Sequence, residues 1–128
     1  MRVALIQLGY PDDESVADRV ARAAAMVVAA RGHDLVVLPE LWAPTGFDYH
    51  TWVERAEPVD GQVASAMAAA AAEAGVVLHA GSIIERLPHA GVEGKQLANT
   101  SLIFGRDGEL VTAYRKIHRF GFAEGEPA

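Results

Sequence analysis

Leu-Val-Val-Leu-Pro-Glu-Leu, residues 35–41, gives the strongest indication of the fold. Its apolar run is too short for a helix and is β-branched at its centre, and a proline interrupts the hydrogen bonding of a strand. We therefore predict a strand whose carboxyl end is Pro39 or Glu40. The short apolar run 3–8 predicts a second strand, buried on both faces of its sheet.

Two helices are predicted around this strand. Apolar residues recur at helical spacing from Asp12, a good N-cap, to Gly32, a good C-terminal stop, which predicts an amphipathic helix with Arg19 and Arg22 facing outward. The alanine-rich segment 61–74, followed by Gly75 as a stop, predicts the second helix.

The remaining segments predict strands and one long loop. Residues 76–84 have a strand pattern, and residues 99–104 and 109–115 flank an Asp-Gly turn at 107–108, which is typical of a β-hairpin. The stretch 41–58 contains two prolines and both tryptophans, and it predicts an ordered loop with a helical turn. The order of these elements predicts an α/β fold with a mixed sheet covered by helices.

Composition narrows the class of function. A chain of 128 residues suffices for one domain or a piece of one, and its net charge of −6 offers no attraction to nucleic acid or to anionic lipid. The first residues fit neither a signal peptide nor a membrane span, so we expect a cytoplasmic protein that binds a small molecule, with no nucleic acid and no membrane as partner.

Metal and cofactor sites find no support in the sequence. The chain has no cysteine, which excludes disulfides, thiolate metal sites and a cysteine nucleophile within these residues. The histidines show no spacing suited to zinc, and the sequence contains no glycine-rich phosphate loop. We predict no metal and no cofactor.

Two charged residues follow predicted strands, where sites of α/β sheets gather. Glu40 lies between apolar residues, which would strip water from its carboxylate and raise its proton affinity, as suits a general base. Lys116 could stabilise a developing oxyanion if it met Glu40. From spacing alone, however, a surface role is the better interpretation of each residue.

Aromatic residues of the long loop are candidates for substrate binding. Trp42, Phe47 and Tyr49 could line a pocket, whereas aromatic residues more often fill a core or an interface. Both interpretations stay open.

The two charged segments also resemble motifs of a known family. Residues 35–41 are similar to the glutamate motif of the nitrilase superfamily of carbon–nitrogen hydrolases, and Tyr-Arg-Lys-Ile-His at 114–118 is similar to its lysine motif. The motifs occur in the same order and at comparable separation, the opening strand is similar too, and the resemblance covers essentially the whole chain.

This resemblance implies an α-β-β-α sandwich and hydrolysis of a non-peptide C–N bond in an amide, a carbamoyl compound or a nitrile. Glu40 would accept the proton of a cysteine thiol and Lys116 would stabilise the tetrahedral intermediate. Glu126 best matches a second glutamate of the family, with Glu124 as the alternative. The Lys-Ile-His sequence at 116–118 resembles the amidase-like branches, so a small amide-type substrate is expected.

The sequence departs from the family because it lacks the nucleophilic cysteine. We therefore expect residues 1–128 to be the amino-terminal part of a single hydrolase domain, truncated before the nucleophile strand and inactive alone. The alternative is a non-catalytic pseudoenzyme or interaction module of the same fold. An open sheet edge and an uncovered apolar face would favour self-association, so a homo-oligomer is expected.

Overall fold

The computed structural model describes residues 1–11, 13–45, 48–91 and 94–118. These residues form a five-stranded sheet in which the strands lie side by side in chain order. The strands are β1 (Val3–Leu5), β2 (Leu35–Val37), β3 (Val77–Arg86), β4 (Leu97–Phe104) and β5 (Leu110–Arg115). The helices are α1 (Val16–Ala29), α2 (Trp52–Arg55) and α3 (Gln62–Ala74), and a 3₁₀ turn, Tyr49–Thr51, precedes α2.

The sheet is mixed, as the sequence predicts. Strands β1, β2 and β3 are parallel, because α1 and α3 each return the chain to the end of the sheet where the next strand begins. Strands β4 and β5 run antiparallel to their neighbours. The predicted hairpin lies between them, with Gly108 at a φ of +82°. The α/β class is therefore confirmed.

Helices α1 and α3 pack against one face of this sheet. The core between them contains Val27 of α1, Met67 of α3 and Leu78 of β3, all fully buried. Helix α3 ends, as predicted, at Ala74, and Gly75 after it has a φ of +67°, the left-handed conformation that glycine adopts readily. Among the residues described, no helix is long and apolar enough to cross a membrane.

The opposite face, which we call the open face, is not covered by α1 or α3. Strand alternation places Val3 and Leu5 on it, and their side chains are 43% and 78% exposed, whereas Ala4 between them packs against the core. The prediction that β1 is buried on both faces is therefore wrong, because α1 and α3 cover only one face of this strand and its other face is exposed among the described residues.

Helix α1 differs from its prediction in two respects. It begins at Val16, and its N-cap is Ser15, whose hydroxyl accepts a hydrogen bond from the backbone of Asp18 at 3.1 Å; Asp12 lies outside the described residues. The prediction that Arg19 faces outward is also wrong. Its side chain is only 3% exposed, because Glu14 and a backbone carbonyl receive its guanidinium.

Candidate active site

A cavity of about 330 Å³ opens on the open face, beside the carboxyl end of β2. Its polar lining follows from the register of the sheet, since Ser82, Ser101 and Tyr114 are direct neighbours across β3, β4 and β5 and therefore share a face. The residues lining the cavity are Glu40, His79, Gly81, Ser82, Asn99, Ser101, Tyr114 and Lys116.

Glu40 and Lys116 meet at this cavity. The Lys116 Nζ donates a hydrogen bond to the Glu40 Oε1 at 2.9 Å, although the two residues are 76 positions apart in the chain. The Asn99 Nδ2 donates to the same oxygen at 2.7 Å. The backbone N–H of Lys116 donates to the Asn99 carbonyl at 2.9 Å, so the end of β4 that carries Asn99 also fixes where the chain leaves β5.

The protonation of Glu40 differs from expectation. The hydrogen bond from Lys116 lowers the pKa of the Glu40 carboxyl below its usual value, and Asn99 acts in the same direction, while partial burial opposes them. The predicted rise in proton affinity is wrong for this arrangement. The apolar neighbours Leu38 and Leu41 bury their side chains in hydrophobic clusters, so they do not shield the carboxylate from water.

Exposure also bears on the strength of the pair. The side chain of Glu40 is 57% exposed and that of Lys116 is 39% exposed. A pair this exposed contributes about 1 kcal/mol or less to stability, and not the several kcal/mol that a buried pair would imply. The contact is therefore of more interest for its chemistry than for its stabilisation of the fold.

The turn that presents Glu40 is pressed closely against β3. Leu41 has a φ of +51°, which is strained for a residue with a side chain, and its N–H donates to the Ser82 hydroxyl at 3.1 Å. The strand β3 is irregular between His79 and Ser82. A Cβ on Gly81, whose φ is +64°, would lie 1.9 Å from the Pro39 carbonyl oxygen, so only glycine allows this approach.

The aromatic candidates are placed differently from one another. Trp42 is fully buried in the core, and its Nε1 donates to the Ala80 carbonyl at 2.9 Å, so it anchors the loop and does not line the cavity. Tyr49 lies in the 3₁₀ turn, half-buried against a small cluster that includes Leu41. Phe47 and the candidate second glutamates, Glu126 and Glu124, lie outside the described residues.

Sequence reasoning missed the polar residues that surround the pair. Asn99 and Ser101 are two positions apart in β4, and this spacing could have placed both side chains on one face of the sheet. It also missed the Glu85 cluster, which consists of Glu85, Thr100 and Arg115. Glu85 is only 1% exposed, and nothing in its local sequence marks it as a buried carboxylate.

The described residues do not include a convergent metal site. No three His, Asp or Glu side chains come together among them as a metal ion would require. The cavity instead combines one carboxylate, one ammonium and several neutral polar groups, which suits proton transfer and stabilisation of an oxyanion.

Comparison with known proteins identifies similar sequences. The sequence model of the carbon–nitrogen hydrolase family matches residues 2–128. The 2-oxoglutaramate amidase of Paenarthrobacter nicotinovorans is 36% identical over 125 residues, covering 98% of this chain and 42% of that protein. The omega-amidase NIT2 of Homo sapiens is 37% identical over 122 residues, covering 93% and 41%. The chain thus spans about two fifths of the length of these relatives.

Two solved structures of similar fold also come from the superfamily of carbon–nitrogen hydrolases. Saccharomyces cerevisiae Nit3, of branch 10 of the nitrilase superfamily, matches with a TM-score of 0.74 and 28% identity, over 92% of this chain and 44% of that one. The CN-hydrolase superfamily protein XC1258 of Xanthomonas campestris, solved with an arsenic adduct in its active site, matches with a TM-score of 0.75 and 29% identity, over 93% and 41%.

Proposed function

Because this chain belongs to the carbon–nitrogen hydrolase family, we propose that it is the amino-terminal part of an amidase domain in which Glu40 and Lys116 are catalytic. The single observation that carries the proposal is the 2.9 Å contact of their side chains in a polar cavity. The two curated relatives named above are amidases, which favours a small-molecule amide over a carbamoyl compound or a nitrile as substrate.

Glu40 acts as the proton acceptor in this proposal. It is a carboxylate at neutral pH, and its lowered pKa makes the resting carboxylate a weaker base than an ordinary glutamate. When Lys116 turns its ammonium toward a developing oxyanion, Glu40 loses the hydrogen bond that lowers its pKa most. Its proton affinity then rises at the step in which a proton has to be taken up.

The reaction proceeds through a thioester. Glu40 accepts the thiol proton of a cysteine, and the sulfur attacks the amide carbonyl carbon to give a tetrahedral oxyanion that Lys116 stabilises. The C–N bond breaks, the proton passes to the departing nitrogen and ammonia leaves. Water then attacks the thioester, gives its proton to Glu40 and releases the carboxylic acid, while the sulfur regains a proton as the thiol.

The cysteine of this mechanism is not among residues 1–128. We propose that a part of the protein beyond Ala128 supplies it, together with any further contacts to the substrate. Glu126, or Glu124 in its place, is proposed as the second glutamate, and Phe47 as a substrate contact. Isolated residues 1–128 are then expected to show no amide hydrolysis, since no acyl intermediate can form.

The test is ammonia release from 2-oxoglutaramate, the amide that names one relative, by the full natural chain. Glu40→Gln should reduce kcat/KM by roughly 10²–10⁴-fold, because it removes the proton acceptor while keeping the shape of the side chain. Asp34→Asn is a matched control. It neutralises a carboxylate that is paired with Arg106 at the other end of β2, and it should leave turnover unchanged. Undiminished hydrolysis by Glu40→Gln would exclude the assigned role.

The absence of cysteine also supports a second candidate, a non-catalytic domain of the same fold. Reading the coding sequence past residue 128 separates the two. A downstream cysteine that follows an apolar strand supports the amidase, and a stop codon directly after Ala128 supports the non-catalytic domain.

A further inference from the structure

The Glu85 cluster lies directly behind the cavity, on the other face of the sheet. Glu85 receives two hydrogen bonds from the Arg115 guanidinium, at 2.7 and 2.8 Å, and a third from the Thr100 hydroxyl at 2.6 Å. The Arg115 hydrogen bonds lower the pKa of Glu85, so the buried carboxylate is charged at neutral pH.

Strand alternation relates this cluster to the site residue by residue. Thr100 and Arg115 are direct partners in the ladder of β4 and β5. Their chain neighbours, Asn99 and Lys116, point to the opposite face, where both donate to Glu40. The Glu85 cluster and the residues around Glu40 therefore lie on opposite faces of the sheet. They are joined by the two peptide units 99–100 and 115–116.

We propose that Glu85 is a positioning residue, which fixes Arg115 and thereby directs Lys116 toward Glu40. The significance of this role for catalysis rests on the function proposed above. Arg115 is the last residue of β5, an edge strand with exposed side chains. The backbone hydrogen bond from Lys116 to the Asn99 carbonyl also fixes the main chain at this end, so the contribution of the Glu85–Arg115 pair is to the orientation of the residues there. A bidentate arginine–carboxylate pair has a well-defined geometry, and the buried Glu85 supplies a rigid partner for it.

Neutralising the whole pair tests the proposal. The double variant Glu85→Gln/Arg115→Gln removes one negative and one positive charge, so it keeps the net charge of −6 and leaves no single buried charge that would unfold the chain. The readout is the ¹³C NMR titration of the Glu40 side-chain carboxyl. Its midpoint should move upward in the double variant, because Lys116 spends less time in contact with Glu40.

Three further variants distinguish positioning from a general loss of stability. Arg115→Lys keeps the charge, but an ammonium cannot bind both Glu85 oxygens in the planar geometry of a guanidinium. Its Glu40 titration midpoint should therefore lie between those of the unsubstituted protein and the double variant. Thr100→Ser keeps the hydroxyl, so the Glu40 carboxyl should titrate in this variant as it does in the unsubstituted protein. Asp34→Asn destabilises a different carboxylate–arginine pair, at the far end of β2, and should leave the midpoint unchanged.

The titration does not depend on turnover, so the two proposals fail separately. The variants leave unchanged the other titratable residues that line the cavity with Glu40, which are His79, Tyr114 and Lys116. A folded double variant whose Glu40 titrates as in the unsubstituted protein overturns the positioning role. If the midpoint moves while Glu40→Gln retains full hydrolysis, positioning stands and the proposed function fails. If both hold, kcat of the double variant should fall on the order of 10²-fold with little change in KM.

Discussion

Gly81 lies where the turn that carries Glu40 comes closest to β3. Its missing side chain leaves room for the Pro39 carbonyl, and its positive φ allows the irregular step in β3 between His79 and Ser82. The Ser82 hydroxyl then receives the N–H of Leu41. The direction in which Glu40 points therefore depends on a residue that has no functional group of its own.

Gly81→Ala should destabilise the protein by about 2–5 kcal/mol, as the sum of a strained left-handed alanine and a backbone overlap that cannot relax easily. Chemical denaturation followed by circular dichroism measures the loss. The Glu40 carboxyl should also titrate differently, because the overlap is with Pro39, its direct neighbour.

Gly75→Ala separates the two contributions. Gly75 has a similar φ of +67°, but a Cβ there meets nothing within 4 Å. Its substitution should cost about 1–2 kcal/mol, the conformational part alone. Equal losses for the two variants would show that the approach of Pro39 to β3 is not tight.

At the scale of elements, helix α1 is joined to the loop after β2 through Arg19. The Arg19 Nη1 donates to the Ala43 carbonyl at 2.8 Å, while Glu14 holds both Arg19 and Arg22. Ala43 is itself buried, so this carbonyl depends on the arginine for a partner where water has little access.

Arg19→Met should lower the free energy of unfolding by about 1–3 kcal/mol, the cost of leaving a buried carbonyl without its hydrogen bond. Thermal unfolding measures the change. Arg22→Met is the matched control, since it removes another arginine from Glu14 but its side chain is 36% exposed, and its effect should be smaller. A larger loss for Arg22→Met would contradict the importance of the Ala43 contact.

A structural feature could be predicted from the sequence where its cause lies within a few residues of it. The hairpin and the end of α3 were predictable because Asp107-Gly108 and Gly75 determine backbone geometry locally. The placement of Arg19, Trp42 and Glu85 was not, because each reaches a partner that is distant in the chain. Hydrophobicity alone cannot distinguish a tryptophan that anchors a loop from one that lines a pocket.

In the candidate site, the identity of the two charged residues could be predicted, but the protonation of Glu40 could not. The family motifs identified Glu40 and Lys116, whose side chains prove to be in contact. The hydrogen bond that lowers the pKa of Glu40 could not be predicted, because its effect depends on how far Lys116 reaches and on how much water remains. Motifs thus indicate which residues meet, whereas protonation depends on the geometry of the contact.

At the scale of the whole molecule, the two faces of the sheet are unequal. One face is packed by α1 and α3. The open face combines the polar cavity, a small cluster that includes Trp52 of α2, and an apolar region over β1, β2 and the start of β3. In that region Val3, Leu35 and Val77 are neighbours across the parallel strands, and Leu5 and Val37 form a second neighbouring pair. The described sheet also ends in two edge strands, β1 and β5, whose outer backbone groups have no strand partner within it.

We predict that the 128-residue chain self-associates through the open face, because association removes exposed apolar surface from water. Leu5 is the natural residue to change, since its side chain is 78% exposed. Leu5→Lys should shift sedimentation velocity profiles toward the monomer over a wide range of protein concentrations. Ala25→Lys is the matched control, because it adds the same charge at an exposed position of α1 on the opposite side of the sheet. Equal dissociation in both variants would indicate a general charge effect, and a monomer at every concentration before substitution would contradict the prediction.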